Sequence, residues 1–156
     1  MSRIDRASRV VAAAPATVYD ALLDPDALLA WLPPQGMTGR LAHWDPRPGG
    51  SFRMILTYLD SSATPGKSGD GTDVVEVGFA ELVRPDRVVQ RAVFDTDDPA
   101  YSGTMTMTWE FTAVGDATRV TVTATGVPPG IDHDVHEAGI ASSLANLAAF
   151  VEARPA

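Results

Sequence analysis

Apolar positions in this chain follow a helical spacing near the start, a period of two through the middle, and a helical spacing again at the end. A first strand is expected from about Ile4 to Ala12. Two short helices follow, each with a start signal. Pro15 stands ahead of Thr17-Val18-Tyr19-Asp20-Ala21-Leu22-Leu23, and Asp24 can cap free N–H groups in front of Pro25. The second helix carries Leu28, Leu29 and Trp31 and stops at Pro33-Pro34. From Thr38 the period becomes two. Phe52, Met54, Leu56 and Tyr58 alternate with Ser51, Arg53, Ile55 and Thr57, and Val75, Val77 and Phe79 alternate with Glu76 and Gly78. Met105, Met107, Trp109 and Phe111 share one face, with Thr104, Thr106, Thr108 and Glu110 on the other, and Val120, Val122 and Ala124 alternate with threonines. One apolar face and one threonine-rich face predict an antiparallel sheet covered on one side. The segment Val88 to Phe94 is apolar at both parities, which leaves its orientation open.

The cover for that sheet is a long helix from about Asp134 to Ala153, in which Ile140, Leu144, Leu147 and Val151 fall on one face. Asp134 and Glu137 have the spacing of a capping box. Strand, two short helices, a run of strands and one long helix make an α+β chain. It shows no repeat and no linker, so residues 1–156 are expected to form one domain. Asp60 to Asp73, rich in Ser, Gly, Thr and Asp, is the one long loop.

Composition narrows the function classes. The chain has 156 residues, 45% hydrophobic and 21% charged, a mixture able to bury a core without staples. Cysteine is absent, which excludes disulfides, thiol catalysis and cysteine zinc sites. A formal charge of −8 repels phosphate backbones and anionic lipid, so nucleic acid is not an expected partner. The first residues are too charged for a signal peptide, and nothing approaches the ~20 apolar residues of a membrane span. A cytoplasmic protein with no membrane partner is the expectation.

Candidate chemistry is sparse. His133 and His136 are three residues apart beside Asp132, Asp134 and Glu137, and can share a helix face. No third metal ligand is distinguishable and the His-Glu-x-x-His spacing is missing, so no metal is expected; acids in a first helical turn complement its dipole. Gly66-Lys67-Ser68 lacks the first glycine of a phosphate-binding loop, Ser61 standing in its place, and does not open a helix. Asp95, Asp97 and Asp98 lack the Gly and Glu of a calcium loop. Pro46 and Pro48 fix a bend that Gly49-Gly50 permit, and Arg47 there can pair with a nearby acid or an anionic ligand group. Of the titratable groups, His43, His136, Glu76 and Glu110 are candidates for acid–base work, but strand parity turns Glu76 and Glu110 to solvent. No catalytic pair emerges, and no cofactor is implied.

Four pieces carry a resemblance. They are Ala14-Pro15-Ala16-Thr17-Val18-Tyr19-Asp20-Ala21-Leu22; Asp24-Pro25 with Leu29-Ala30-Trp31-Leu32-Pro33-Pro34; Asp45-Pro46-Arg47-Pro48-Gly49-Gly50-Ser51-Phe52-Arg53; and His136-Glu137-Ala138-Gly139-Ile140 with Leu144 and Leu147. In this order they resemble the SRPBCC superfamily, in the branch related to the activator of the heat-shock protein 90 ATPase. The resemblance implies the START-like helix-grip fold, a curved antiparallel sheet around a long C-terminal helix with a cavity between them. Relatives often carry Trp after the glycine of the last helix; Ile140 here shortens that wall.

Where a curved sheet and a straight helix diverge, inward side chains line a pocket. Met54, Tyr58, Phe79, Met107, Trp109 and Ile140 are assigned there, with Trp31 near the entrance and His136 as a polar contact at the mouth. The bland alternative is that each simply fills the core. The resemblance implies three roles in order of preference. The first is binding of a hydrophobic or aromatic small molecule without transforming it. The second is a polyketide cyclase or aromatase-like enzyme, and the third a co-chaperone stimulating an ATPase. Relatives commonly self-associate, so a homodimer is also an expectation.

Overall fold

The computed structural model describes residues 3–33, 36–59 and 71–153. Strand β1 (Ile4–Val11) leads into helices α1 (Pro15–Leu22) and α2 (Pro25–Trp31). Strands β2 (Met37–Trp44), β3 (Ser51–Tyr58), β4 (Thr72–Val83), β5 (Arg87–Phe94), β6 (Met105–Val114) and β7 (Ala117–Thr125) follow, then α3 (His133–Glu152). The strands form one antiparallel sheet in the order β1-β7-β6-β5-β4-β3-β2. β1 and β2 therefore lie at opposite edges, and α1–α2 carry the chain across the concave face between them. This is the helix-grip, START-like α+β fold.

The start signals act as read. Pro15 and Pro25 open their helices, and Asp24 Oδ1 accepts from the backbone N–H of Asp26 (2.9 Å) and Ala27 (3.2 Å). Such a cap stabilises a helix by about 1 kcal/mol. Alternation holds through the sheet, with Phe52, Met54, Val75, Val77, Phe79, Met105, Trp109, Phe111, Val120, Val122 and Ala124 buried. Strand β5 acquires an orientation that its own sequence left open. Its ladder with β6 sets Val88 opposite Trp109 and Gln90 opposite Met107, so Val88, Gln90 and Ala92 point inward and Val93 outward. The turn at 45–50 needs both its glycines. Gly49 has φ +84°, and a Cβ on Gly50 would stand 2.2 Å from the Asp45 carbonyl oxygen. Arg47 pairs with Asp45 (2.9 Å) and stays exposed, outside the cavity.

Helix α3 begins differently from its expected capping box. Asp132 is the N-cap, accepting from Val135 N–H at 2.9 Å, and Asp134 lies inside the first turn. Glu137, freed from capping, accepts the backbone N–H of Arg6 at 2.8 Å, and Glu152 accepts that of Ala12 at 2.9 Å. Two α3 carboxylates thus cover donors of edge strand β1 and of the residue that follows it. Leu144 and Leu147 are fully buried, and burial of each contributes about 1.5–3 kcal/mol. Helix α2 ends at Trp31, ahead of Pro33, and Pro34 lies outside the described residues, as do residues 60–70 with the Gly66-Lys67-Ser68 segment. The end of the loop expected over Asp60 to Asp73 is instead strand, since Thr72 and Asp73 belong to β4. Among those described, no helix is long and apolar enough to cross a membrane.

Candidate functional site

A cavity of about 390 Å³ opens between the concave sheet and the N-terminal half of α3. Its position follows from the topology. The far end of α3 packs down through Leu144, Leu147 and Val151, while its first turns stand over strands β3–β6, where the sheet curves away. Leu22, Leu28 and Leu32 of the α1–α2 region close one side. Along α3, residues His136, Gly139, Ile140 and Ser143 share the cavity face, the i, i+3, i+4, i+7 stripe of one helical side. Val135, 68% exposed, marks the rim.

Six residues assigned to this site from sequence do line it: Met54, Tyr58, Met107, Trp109, His136 and Ile140. Two do not. Trp31 is fully buried, not at an entrance; its indole N–H donates to the Ala21 carbonyl at 3.0 Å and its ring meets Trp109 edge-on at 5.7 Å. It forms a layer behind the wall, because α2 turns its last residue into the core. Phe79 packs with Phe52 and Trp44, at 5.5 and 5.9 Å between ring centres, and Phe52 takes the place in the lining expected of it.

Polar residues at the site escaped the sequence reading: Ser143, whose hydroxyl donates to the Leu32 carbonyl at 2.7 Å, Asp73 and Gln90 on the wall, and Asp5 behind His136. Asp73, 3% exposed, lines the cavity and accepts a hydrogen bond from the Tyr58 hydroxyl at 3.1 Å. It stands in phase with Val75, Val77 and Phe79, and extending that alternation by one step would have turned it inward. Gln90 lines the cavity between Val88 and Ala92. Its Oε1 accepts from the Trp109 indole N–H at 3.0 Å. An indole nitrogen can only donate, so this contact fixes the amide: the oxygen faces Trp109 and the NH₂ faces the cavity as a donor.

Asp5 is the last of these. Its carboxylate is fully buried, on the same cross-strand row as Ala124, Met107 and Gln90. Four donors saturate it. Arg3 Nε and Nη2 donate to Oδ1 and Oδ2 at 2.8 Å each, His133 Nδ1 to Oδ1 at 2.7 Å, and His136 Nδ1 to Oδ2 at 2.6 Å. Burial pushes the Asp5 pKa up, but the hydrogen bonds from Arg3, His136 and His133 together outweigh it, and the carboxyl titrates well below its ordinary range. The same bond raises the His133 pKa above its ordinary 6.5, helped by Glu137 against some desolvation. The two histidines whose spacing suggested a metal site are therefore engaged with a carboxylate. Among the described residues no group of three or more His, Asp or Glu is arranged to hold a metal ion.

His43 and Glu76 meet on the outer face, at 2.9 Å, with Arg53 beside them; Glu110 is exposed. Burial pushes Glu76 up, and Arg53 and His43 hold it below its ordinary value. Neither acid reaches the cavity. The site can hold an apolar body against methionines and aromatics, offer a donor at Gln90, and present an imidazole at His136.

Comparisons with known proteins agree with this architecture. The chain is similar over 97% of its length to protein CV1439 from Chromobacterium violaceum, covering 98% of that chain at 30% identity and a TM-score of 0.84. It shares the fold of protein Ms6760 from Mycobacterium smegmatis (18% identity, 98% and 93% coverage, TM-score 0.75). DynU16, a protein of the dynemicin biosynthetic locus, also shares it (22% identity, TM-score 0.69); 96% of this chain aligns to 47% of that one. No curated protein matches the sequence. The sequence model of the activator of Hsp90 ATPase homolog 1-like proteins matches residues 12–152, nearly the whole sheet and all of α3, and the chain belongs to that family, within the SRPBCC superfamily.

Proposed function

We propose that this protein binds a small, largely apolar ligand in the cavity under α3, without transforming it. One observation carries the reading: a cavity of about 390 Å³, walled by methionine, leucine, valine and aromatic side chains and touched by only a few polar groups. That is the composition of sites that bury small molecules, where apolar area supplies affinity and a few fixed polar groups supply orientation. The volume lies at the small end of the range of about 300–1,000 Å³ for such sites, which suits a ligand of two or three fused rings. Native mass spectrometry of gently purified protein, followed by organic extraction, tests it. A reproducible co-purifying small molecule supports the proposal. An apo mass, with no apolar probe taken up on titration, overturns it.

The Asp5–His136 pair favours a second reading, a cyclase- or aromatase-like enzyme. A histidine held at Nδ1 by a buried carboxylate is the arrangement that positions an imidazole for proton transfer. A change in mass or isomeric form of a carbonyl substrate after incubation separates this reading from simple binding.

A further inference from the structure

The stripe on α3 that faces the cavity combines an imidazole with an unfilled space. Nδ1 of His136 is committed to Asp5 Oδ2 at 2.6 Å, so Nε2 is the ring's remaining polar atom. Among the described residues nothing hydrogen-bonds to that Nε2, although the ring lines the cavity and the side chain is only 16% exposed. Asp5 is saturated by four donors and stays ionised, which keeps the proton on Nδ1. Nε2 is then the atom left for the cavity, an acceptor in the singly protonated ring. One turn on, Gly139 leaves the floor beside the imidazole empty: a Cβ there would meet no atom within 4 Å. Room and acceptor coincide.

A histidine oriented by a buried carboxylate, facing space that its own helix leaves vacant with a mid-helix glycine, is a built polar contact. Its natural complement is an O–H group acidic enough to give a strong hydrogen bond to a neutral imidazole. The NH₂ of Gln90, on the cavity wall two strands from β7 along the row that begins at Asp5, supplies a donor for a second oxygen.

We infer that the ligand carries an acidic hydroxyl, a phenol or an enol, that docks on Nε2 of His136 in the space beside Gly139. The inference rests on the binding role proposed above and names the chemistry of what is bound. An isosteric pair of probes tests it: 2-naphthol and 2-methylnaphthalene, equal in shape and differing by OH for CH₃. Equilibrium dialysis at neutral pH measures both, with 2-naphthoate as a third probe.

The expected result is about a tenfold preference for 2-naphthol over 2-methylnaphthalene, the equivalent of one good hydrogen bond. His136→Asn is the informative variant. Its amide NH₂ replaces Nδ1–H toward Asp5 and deletes the Nε2 acceptor, so the anchoring of α3 persists while the preference collapses to near unity. Circular dichroism of His136→Asn shows that any loss of preference in it is not unfolding, and His136→Phe, which removes both contacts, should lose the preference as well. Equal binding of 2-naphthol and 2-methylnaphthalene overturns the inference and leaves the binding role standing, as does a preference that survives in His136→Asn. Tighter binding of 2-naphthoate than 2-naphthol overturns it in favour of a carboxylate ligand. Binding of none of the three overturns the binding role itself.

Discussion

Gly139 leaves open the space on the cavity face of α3 that a side-chain methyl would take. A glycine inside a 20-residue helix costs about 1 kcal/mol relative to alanine, because its backbone loses more freedom on folding. Packing gives no reason for it: a Cβ at 139 would meet nothing within 4 Å, whereas one at Gly50 would stand 2.2 Å from a carbonyl oxygen. Gly139→Ala should therefore stabilise the protein by about 1 kcal/mol, raising its Tm by about 2–4 °C for a chain of this size. The added methyl takes about 30 Å³, roughly the share of one water, and so less than a tenth of the cavity. Binding of a bicyclic probe should weaken several-fold in Gly139→Ala and be lost in Gly139→Phe, whose ring projects across the space beside His136. Urea or thermal unfolding reads the stability and equilibrium dialysis the binding. The reasoning turns on the two moving in opposite directions. A Gly139→Ala protein less stable than wild type would refute it, since the methyl would then be meeting atoms where the structure has open space.

Asp5→Ala strips the partner from Arg3, His133 and His136 at once, and breaking a buried charge cluster of this kind should cost about 3 kcal/mol or more in urea unfolding. The same carboxylate shapes the pH profile. Its folded pKa is depressed, so its contribution is present above the ordinary 3.8 and lost as pH falls toward the folded value; that of His133 is raised, so its contribution is full below 6.5 and lost as pH climbs through the folded value. Urea midpoints between pH 3 and 9 should fall on both sides, and the alkaline slope should vanish in His133→Gln. Gly50→Ala should destabilise by about 1–3 kcal/mol through its clash with Asp45, measured by thermal unfolding, without altering probe binding. Trp109→Phe removes the N–H that fixes the Gln90 amide, at a cost of about 1–3 kcal/mol if the amide oxygen stays unpaired.

What the sequence makes legible here depends on how many consecutive positions report the same thing. Strands β3, β6 and β7 each alternate over four or more residues, and their inward faces emerge as predicted. So does the apolar face of α3, where Ile140, Leu144, Leu147 and Val151 recur at helical spacing. Strand β5 offers apolar residues at both parities, and only its ladder with β6 decides which face is inside. The capping box at Asp134 fails for a related reason. Asp132 lies two residues earlier and can cap equally well, and the acid three residues after Asp134 is claimed by the backbone of β1.

The polar half of the site was hidden by a stronger effect, because a buried charge has no periodic signature of its own. In β1, Ile4 and Val10 are exposed while Asp5 between them is sealed, the reverse of what hydrophobicity suggests. Asp5 is tolerable inside only because Arg3, two residues before it, and His133 and His136, far along the chain, deliver four hydrogen bonds to it. None of those partners can be assigned until the sheet order brings β1 alongside β7 and α3 returns across it. The His133–His136 spacing was visible from the start, but a pair on one helix face can mean a metal, a solvated turn or a shared acid. In the structure a third group, Asp5, arrives from the opposite end of the chain and accepts a hydrogen bond from each ring. With that acid in place, His136 is an anchored imidazole beside a cavity.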